Sequence, residues 1–412
     1  MTFDWNLRDA PPRPPQPFQL FDETLRDGLQ SPSVTDPPLE SKLQLLELMV
    51  ENGIHSADLG MPGAHRRIFH EVVAMCRHIQ RHKLRLDPGC AARTVVADIA
   101  PVVEAVQQSG QPLVVYTFIG SSPIRQFAEG WDREFLLRTS LQAIDFAVKE
   151  GLEVAFVTED TVRTPPHLLE QLYRAAVEHG ARRLVVCDTV GHATPSGASS
   201  LVRWTRQLLK QLGVADRVQV EWHGHNDRGL AVVNALAALE GGAQRLHGCA
   251  LGIGERVGNT SLDLLLLNLK LVGWVDHDLS GLVRYAQFVS QAVKFPIPSN
   301  YPLSGADAFR TATGVHAAAI IKAQRRGDAW LADRVYSGVP ATEFGKSQEI
   351  EIGHMSGMSN VRYWLEQRGI PPEEDLCHAV LDRAKHCAWT LTDSEILEVV
   401  RAHGQNRAPG PR

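Results

Sequence analysis

The chain alternates between two patterns of apolar and polar positions. Short runs rich in β-branched and apolar residues predict strands, and the intervening segments carry the 3.6-residue apolar spacing that is typical of amphipathic helices. The predicted strands are 18–25, 57–60, 85–90, 113–120, 153–160, 183–190, 219–227 and 245–254. The clearest helical segments between them are 39–52, 68–82, 135–150 and 166–179.

The number of these units predicts the fold. Eight strands, each followed by a helix, are what a closed (β/α)8 barrel requires, and we predict this α/β fold for 18–285. An open, doubly wound sheet is the alternative, but such sheets usually carry a glycine-rich phosphate loop after the first strand. Here the first strand ends in Glu-Thr-Leu-Arg-Asp-Gly, and the GxG-type loop at 252–254 comes only with the eighth strand. The pattern therefore favours the TIM barrel.

The flanking segments do not follow the barrel pattern. Five prolines fall within 1–17, so we expect an extended N-terminal arm there. Three prolines fall within 286–305, which we interpret as a linker, and helical periodicity beyond it predicts a smaller, mainly helical module over 306–403. The polar end at 404–412 is expected to be disordered.

Composition and charge narrow the class of protein. The 412 residues carry a formal net charge of −5 and no Lys/Arg-rich run, which argues against a nucleic-acid partner. The longest apolar stretch, 262–275, is interrupted by charged residues and is too short to span a membrane. The six cysteines have no CxxC spacing and predict reduced thiols, and the N-terminus has no signal-peptide pattern. We therefore expect a cytoplasmic protein.

Candidate chemistry lies at the predicted strand ends, where (β/α)8 enzymes place their active sites. Asp27 follows the first strand, His223 and His225 end the seventh, and the eighth leads to Asn259. Alternation along a strand turns both histidines to the same side, and strands one, seven and eight are neighbours in a closed barrel. Taken alone, the two histidines are also compatible with a polar strand end bonded to the backbone. Their convergence with a carboxylate and an amide favours a site for a divalent metal ion.

Other polar residues at strand ends have two interpretations each. Arg26 precedes the predicted metal carboxylate and could form a structural ion pair, but its fixed charge would also stabilise a developing oxyanion. Glu159 ends the fifth strand and Thr189 the sixth. Singly they could be solvated caps, whereas together they would ring the mouth of the barrel.

Several motifs resemble one known family. The segments 21–30 (Phe-Asp-Glu-Thr-Leu-Arg-Asp-Gly-Leu-Gln), 223–227 (His-Gly-His-Asn-Asp) and 252–259 (Gly-Ile-Gly-Glu-Arg-Val-Gly-Asn) are similar to the 2-isopropylmalate synthase and homocitrate synthase family. That family belongs to the HMGL-like, DRE-TIM metallolyase superfamily, which includes hydroxymethylglutaryl-CoA lyase. Further matches lie at 90–94, 117–124, 188–191 and 313–316.

The resemblance implies a metal-dependent Claisen condensation of acetyl-CoA with a 2-oxo acid, followed by release of CoA, in a homodimer. The divalent ion would be Mn²⁺, Zn²⁺ or Mg²⁺. By similarity, His316 and Tyr336 form the acid/base pair that deprotonates acetyl-CoA. The resemblance assigns catalysis to Arg26, Glu159, His316 and Tyr336, substrate binding to Arg26, Glu159, Thr189 and Arg93, and metal coordination to Asp27, His223, His225 and Asn259.

Three functions remain to be distinguished. The chain is most similar to 2-isopropylmalate synthase, which would take 2-oxoisovalerate in leucine biosynthesis, and a homocitrate-, citramalate- or citrate-type synthase is the alternative within the same chemistry. The second function is that of a carbon–carbon lyase similar to hydroxymethylglutaryl-CoA lyase. Leu29 matches this lyase branch, but the lyase Cys-Pro-Tyr loop is absent from the sequence, and His316 favours a synthase. The third function is that of a catalytically silent barrel retained for binding or regulation. Such a barrel would be expected to lack Arg26 or a metal ligand, and the sequence retains all of these residues.

Overall fold

The structure of the protein is a computed structural model, which describes residues 3–8, 14 and 17–407. These residues form two compact units. The first unit comprises the described residues up to His277 together with Arg284–Pro296. The second comprises Asp278–Val283 and the described residues from Ile297 onwards.

The first unit is built on a closed barrel of eight parallel strands in sequential order. Gln19 in the first strand pairs with Arg245 in the last, and this pairing closes the sheet. The prediction of a (β/α)8 barrel is therefore confirmed. The strands are β1 (Gln19–Asp22), β2 (Ser56–Asp58), β3 (Asp87–Arg93), β4 (Val114–Gly120), β5 (Glu153–Glu159), β6 (Arg183–Asp188), β7 (Gln219–Gly224) and β8 (Arg245–Gly248).

Helices follow the strands, and the four that we predicted at 39–52, 68–82, 135–150 and 166–179 are present with bounds that differ by at most two residues. The helices up to residue 293 are α1 (Leu39–Glu51), α2 (Arg66–His82), α3 (Val96–Ser109), α4 (Pro123–Glu129), α5 (Arg133–Lys149), α6 (Pro166–Glu178), α7 (Pro195–Gln211), α8 (Ala231–Gly241), α9 (Leu262–Leu271) and α10 (Leu282–Val293).

Local sequence explains these helices, as α2 illustrates. The His65 side chain caps its N-terminus by accepting a hydrogen bond from the Arg67 amide at 3.0 Å. Phe69, Val72 and Cys76 recur every three or four positions and are buried. One apolar face is thereby buried, which is the arrangement that stabilises a helix on a barrel.

The second unit is mainly helical, as expected for this region. Its helices are α11 (Gly314–Arg325), α12 (Ala329–Arg334), α13 (Met358–Gln367), α14 (Glu374–Lys385) and α15 (Asp393–Arg407). The short strands β9 (Arg310–Thr311) and β10 (Glu349–Ile350) form a parallel pair that we did not predict. The main core cluster of this unit includes Ile352, Val361, Trp364, Leu365, Cys377 and Val380.

Two expectations about the flanking segments are wrong in part. Helix α10 occupies the first part of 286–305, where we expected a linker, and α15 extends through the first four residues of the expected disordered tail. The rest of that tail, 408–412, lies outside the described residues, as do 1–2, 9–13 and 15–16 of the N-terminal arm. In the described part of the arm, Trp5–Leu7 form a turn of 3-10 helix.

Among the described residues, none of the helices combines the length and the apolar character that crossing a bilayer requires.

Candidate active site

A cavity of about 280 Å³ lies at the carboxyl ends of the barrel strands. This is the end at which (β/α)8 enzymes bind their substrates. Its polar lining consists of Glu23, Arg26, Asp27, Gln30, Glu159, Thr189, His223, His225, His247, Glu255 and Arg256. Its less polar lining consists of Ala91, Tyr116, Phe118, Val157, Val185 and Cys187.

Three of the predicted metal ligands converge in this cavity. One donor atom from each of Asp27, His223 and His225 lies within 4.8 Å of the others, and all three residues are buried. Asn259 lies beside them, because its side-chain nitrogen donates to Asp27 Oδ1 at 3.0 Å. Two buried atoms, His225 Nδ1 and Asn259 Oδ1, have no hydrogen-bond partner among the described residues. Buried polar atoms without a hydrogen-bond partner, in a group of nitrogen and oxygen ligands, fit a site for a divalent ion.

The orientation of His223 distinguishes two overlapping candidate metal sites. His223 could also contribute to a second group, with Glu23 and His247. Its Nδ1, however, is 2.6 Å from Glu23 Oε2, whereas its Nε2 faces Asp27, 3.8 Å from Oδ2. Because the carboxylate holds Nδ1, the Nε2 lone pair is the one available to an ion. The geometry therefore favours the group formed with Asp27 and His225.

The charges around the ligands keep them in metal-binding form. Burial alone would raise the pKa of Asp27, but its surroundings, above all the Arg26 guanidinium, outweigh it and lower that pKa. Burial lowers the pKa of His225 to about 4, and the neighbouring His223 acts in the same direction. At neutral pH the site therefore offers a carboxylate and a neutral imidazole, the states that bind metal ions.

Arg26 is held by three carboxylates. Its Nε donates to Asp58 at 2.9 Å, its Nη1 to Asp27 at 2.9 Å and its Nη2 to Glu23 at 2.8 Å. A guanidinium has five N–H groups, so two are left by these three bonds. The side chain is 19% exposed and lines the cavity. Arg26 is therefore rigidly placed and still able to donate to an anionic oxygen.

Glycines in the loop after β8 place Asn259 beside Asp27. Gly258 has φ +95°, and a Cβ atom there would lie 1.8 Å from the carbonyl oxygen of Gly252. Gly254 has φ +151°, and a Cβ atom there would lie 2.2 Å from Asn259 Nδ2. Only glycine tolerates both the left-handed backbone and these approaches. The loop can thus fold back so that Asn259 pairs with His225 in an isolated bridge.

The other predicted barrel residues do not all reach the cavity. Glu159 and Thr189 line it, and burial raises the pKa of the Glu159 carboxyl. Arg93 is not among the described residues that line the cavity. Its side chain is 64% exposed, and its guanidinium donates to Asp98 at 2.7 Å and 2.9 Å. The structure therefore gives Arg93 a local partner and no contact at the cavity.

His316 and Tyr336 are brought together in the second unit. Their rings stack with centroids 4.0 Å apart and an interplanar angle of 26°. His316 lies in the first turn of α11, and both side chains are exposed. The structure thus pairs two residues that are 20 positions apart in the sequence.

Sequence reasoning missed a layer of buried polar residues beneath the ligands. Glu23, Glu221 and His247 are all buried, and none of them was singled out. The available signal was alternation: Glu221 lies two residues before His223 on β7, and His247 lies two residues after Arg245 on β8. Such spacing turns each pair of side chains to the same face of its strand.

A third potential ligand group lies away from the cavity, on the outer surface of α1 and α2. It consists of Glu47, His78 and His82. Its exposed members make it a possible source of background in any measurement of metal binding.

Fold and cavity together define a (β/α)8 barrel with a candidate metal site at its mouth. Comparison with known proteins then identifies the family. The model of the HMGL-like family matches residues 17–289, and the chain belongs to this family.

The chain is similar over nearly its whole length to synthases of this family. It is 32% identical to homocitrate synthase AksA of Methanopyrus kandleri, over 97% of this chain and 96% of that protein. It is 31% identical to a probable 2-isopropylmalate synthase of the same organism, over 90% and 70% respectively. Among solved structures, an HMG-CoA lyase of Bacillus subtilis superposes with a TM-score of 0.55 at 19% identity, over 69% of this chain and 97% of that one, and shares the fold.

Proposed function

We propose that this protein is an alkylmalate-type synthase that condenses acetyl-CoA with a 2-oxo acid and releases CoA. The observation that carries the proposal is the convergence of Asp27, His223 and His225 beside the immobilised Arg26 at the barrel mouth. The names of the similar proteins support the same chemistry, because they include homocitrate, 2-isopropylmalate and citramalate synthases.

In the proposed mechanism, Asp27, His223 and His225 would hold a divalent ion, with Asn259 in or near its shell. Such an ion would supply Lewis acidity for the ketone of the oxo acid. The two N–H groups that Arg26 retains donate to the ketone oxygen as negative charge develops on it. Glu159 and Thr189 line the same cavity as Arg26 and contact the oxo acid.

We assign proton transfer to the second unit. His316 removes a proton from the methyl group of acetyl-CoA, with Tyr336 as its partner, and a histidine suits this task because its ordinary pKa lies near neutrality. The methyl carbon then bonds to the ketone carbon, and the ketone oxygen takes up a proton. Hydrolysis of the thioester releases the alkylmalate and free CoA thiol. We further propose that the enzyme is a cytoplasmic homodimer.

The lining of the cavity supports an acceptor with an apolar side chain. Ala91, Phe118 and Val157 line one side of it. The two arginines in the lining are already paired with carboxylates: Arg26 with three, and Arg256 with Asp227 at 2.8 Å. A second carboxylate on the acceptor would therefore lose water without gaining an unpaired cation among the described lining residues. We propose 2-oxoisovalerate, as in 2-isopropylmalate synthase.

A panel of acceptors tests this choice. Thiol release from acetyl-CoA is measured with 2-oxoisovalerate, pyruvate, 2-oxoglutarate, oxaloacetate and glyoxylate, each with Mg²⁺, Mn²⁺ and Zn²⁺. We expect kcat/KM for 2-oxoisovalerate to exceed that for 2-oxoglutarate by roughly a hundredfold or more. A preference for 2-oxoglutarate or oxaloacetate would contradict the choice of 2-oxoisovalerate as the acceptor. Thiol release with none of the five acids would contradict the proposed synthase activity.

Arg26→Lys tests the role of the guanidinium. Lysine keeps the positive charge, but it cannot donate to three carboxylates and to an oxyanion at fixed angles. We expect the ion to remain bound while kcat falls by roughly 10²–10³, the usual loss when one oxyanion donor is removed. The measurement is Mn²⁺ affinity beside steady-state thiol release. An unchanged kcat would mean that Arg26 forms a structural ion pair and has no part in catalysis.

A further inference from the structure

A continuous row of buried carboxylates and imidazoles runs inward from the metal-binding face of the barrel. His223 Nδ1 lies 2.6 Å from Glu23 Oε2, and the other oxygen of Glu23 lies 3.4 Å from His247 Nδ1. His247 Nε2 in turn lies 2.8 Å from Glu221 Oε2. All four residues are buried, and His247 is only 1% exposed. Of these four, only His223 has a part in the proposed mechanism.

The negative charges of two carboxylates in this row offset the positive charge of His247. Burial disfavours the imidazolium, but the carboxylates of Glu23 and Glu221 outweigh it and raise the pKa of His247 to about 9. Glu221 also lies close to two guanidinium groups, 3.6 Å from Arg245 and 3.8 Å from Arg183. A buried carboxylate needs such partners to remain ionised. His247 is therefore a cation between two carboxylates: its Nε2 is hydrogen-bonded to Glu221, and its Nδ1 lies 3.4 Å from Glu23.

Glu23 has three polar neighbours. Its Oε1 accepts from Arg26 Nη2 at 2.8 Å and faces His247 Nδ1, whereas its Oε2 contacts His223. The proton that Glu23 holds on His223 Nδ1 is what leaves Nε2 as the lone pair facing Asp27. Anything that fixes the Glu23 carboxylate thus also fixes the tautomer and the ring orientation of His223.

We propose that His247 is a positioning residue for the metal centre, acting through Glu23 on His223. The proposal rests on the metal site of the proposed function. In this arrangement the contact of His247 Nδ1 with Glu23 affects the affinity for the ion, whereas the contact of Nε2 with Glu221 holds His247 in place. Partners of this kind behind metal-binding histidines typically change metal affinity by roughly 10–100-fold.

Two substitutions separate the nitrogens of His247. The amide nitrogen of His247→Asn falls near the position of Nδ1 and can still donate to Glu23, whereas that of His247→Gln falls near Nε2 and reaches Glu221 instead. We expect His247→Gln to weaken Mn²⁺ binding by roughly 10–100-fold and His247→Asn to weaken it much less. A role limited to filling space predicts the reverse order, because glutamine is closer to histidine in size.

The titrations need two controls. All proteins carry His82→Gln, so that the surface group on α1 and α2 does not contribute to the ion counted. Leu209→Ala truncates a buried residue of α7 and serves as a destabilised variant that leaves the barrel interior unchanged. We expect its thermal stability to fall and its Mn²⁺ affinity to stay at the value of the parent protein.

A second readout uses the protein without metal. In ¹⁵N-histidine-labelled protein, the nitrogen shifts of His223 report which ring nitrogen carries the proton, and His223→Ala assigns them. We expect the Nδ1–H form in the parent protein and a mixture of tautomers in His247→Gln. If the parent protein binds no divalent ion, the proposed metal site fails. If it binds Mn²⁺ and both His247 variants match it in affinity and tautomer, the positioning role alone fails.

Discussion

Asp27→Asn should abolish both metal binding and CoA release, and His223→Ala should do the same. Asparagine keeps the shape of the side chain but removes the negative charge that Asp27 offers to the ion. The ketone of the acceptor would then lose its Lewis acid, which contributes several kcal/mol, so we expect thiol release to fall by roughly a thousandfold or more. Equilibrium dialysis against Mn²⁺ and a CoA-release assay measure the two effects.

The controls for this prediction separate binding from folding. Asp27 is a buried partner of Arg26, but Arg26 keeps Glu23 and Asp58, so we expect the circular dichroism spectrum and a cooperative melting transition to be retained. The background carries His82→Gln, and Glu47→Gln in the wild-type protein is a matched carboxylate-to-amide change outside the cavity. A metal-stripped enzyme that condenses at the full rate would rule out the proposed Lewis-acid mechanism.

The part of this site that could be predicted from the sequence follows from barrel closure. Each strand was identifiable from its own apolar run, as β5 illustrates at Glu153–Glu159 against a predicted 153–160. Closure then makes β1, β7 and β8 neighbours whatever the details of their packing. Asp27, His223 and His225 could therefore be placed together before any coordinates were known, and their donor atoms do lie within 4.8 Å of one another.

The buried polar layer could not be predicted in this way. Reasoning from hydrophobic pattern treats interior positions as apolar, whereas Glu23, Glu221 and His247 are buried ionisable groups in which His247 lies between the two carboxylates. Whether such residues pair depends on distances across three strands, which spacing within one strand does not contain. The substrate-binding role that the resemblance implies for Arg93 stays a prediction, and in the structure this side chain is paired with Asp98.

The linker was misplaced for a related reason. We began it at 286 because the strand–helix repeat had ended, but the apolar positions Ala286, Val289 and Val293 continue a helical period and are buried in α10. The same helix is tied to the barrel by a hydrogen bond from the Tyr285 hydroxyl to Asp22 at the end of β1. The helix ends at Val293, and the first proline of the segment is Pro296.

His316→Ala should leave the ion and the oxo acid bound while CoA release collapses. The proposed metal ligands and Arg26 all belong to the barrel unit, and His316 belongs to the other, so the two properties should separate cleanly. We expect kcat to fall by roughly 10²–10⁴, the range for loss of a general base, with Mn²⁺ affinity unchanged. His378→Ala, which truncates an exposed histidine of α14, is the matched control and should keep full activity. An equal loss of metal binding in His316→Ala would contradict this division.

Mixing the two inactive variants tests the proposed homodimer. After subunit exchange between His316→Ala and Asp27→Asn chains, half of the dimers are hybrids, and each hybrid holds one intact set of groups if the metal-binding and proton-transfer residues come from different chains. We therefore expect recovery of about one quarter of the wild-type activity. Exchange is verified with differently tagged chains, because a mixture that has not exchanged is also inactive. Verified hybrids without activity would mean that each active site draws all its residues from one chain, since both chains of the hybrid then carry a defect.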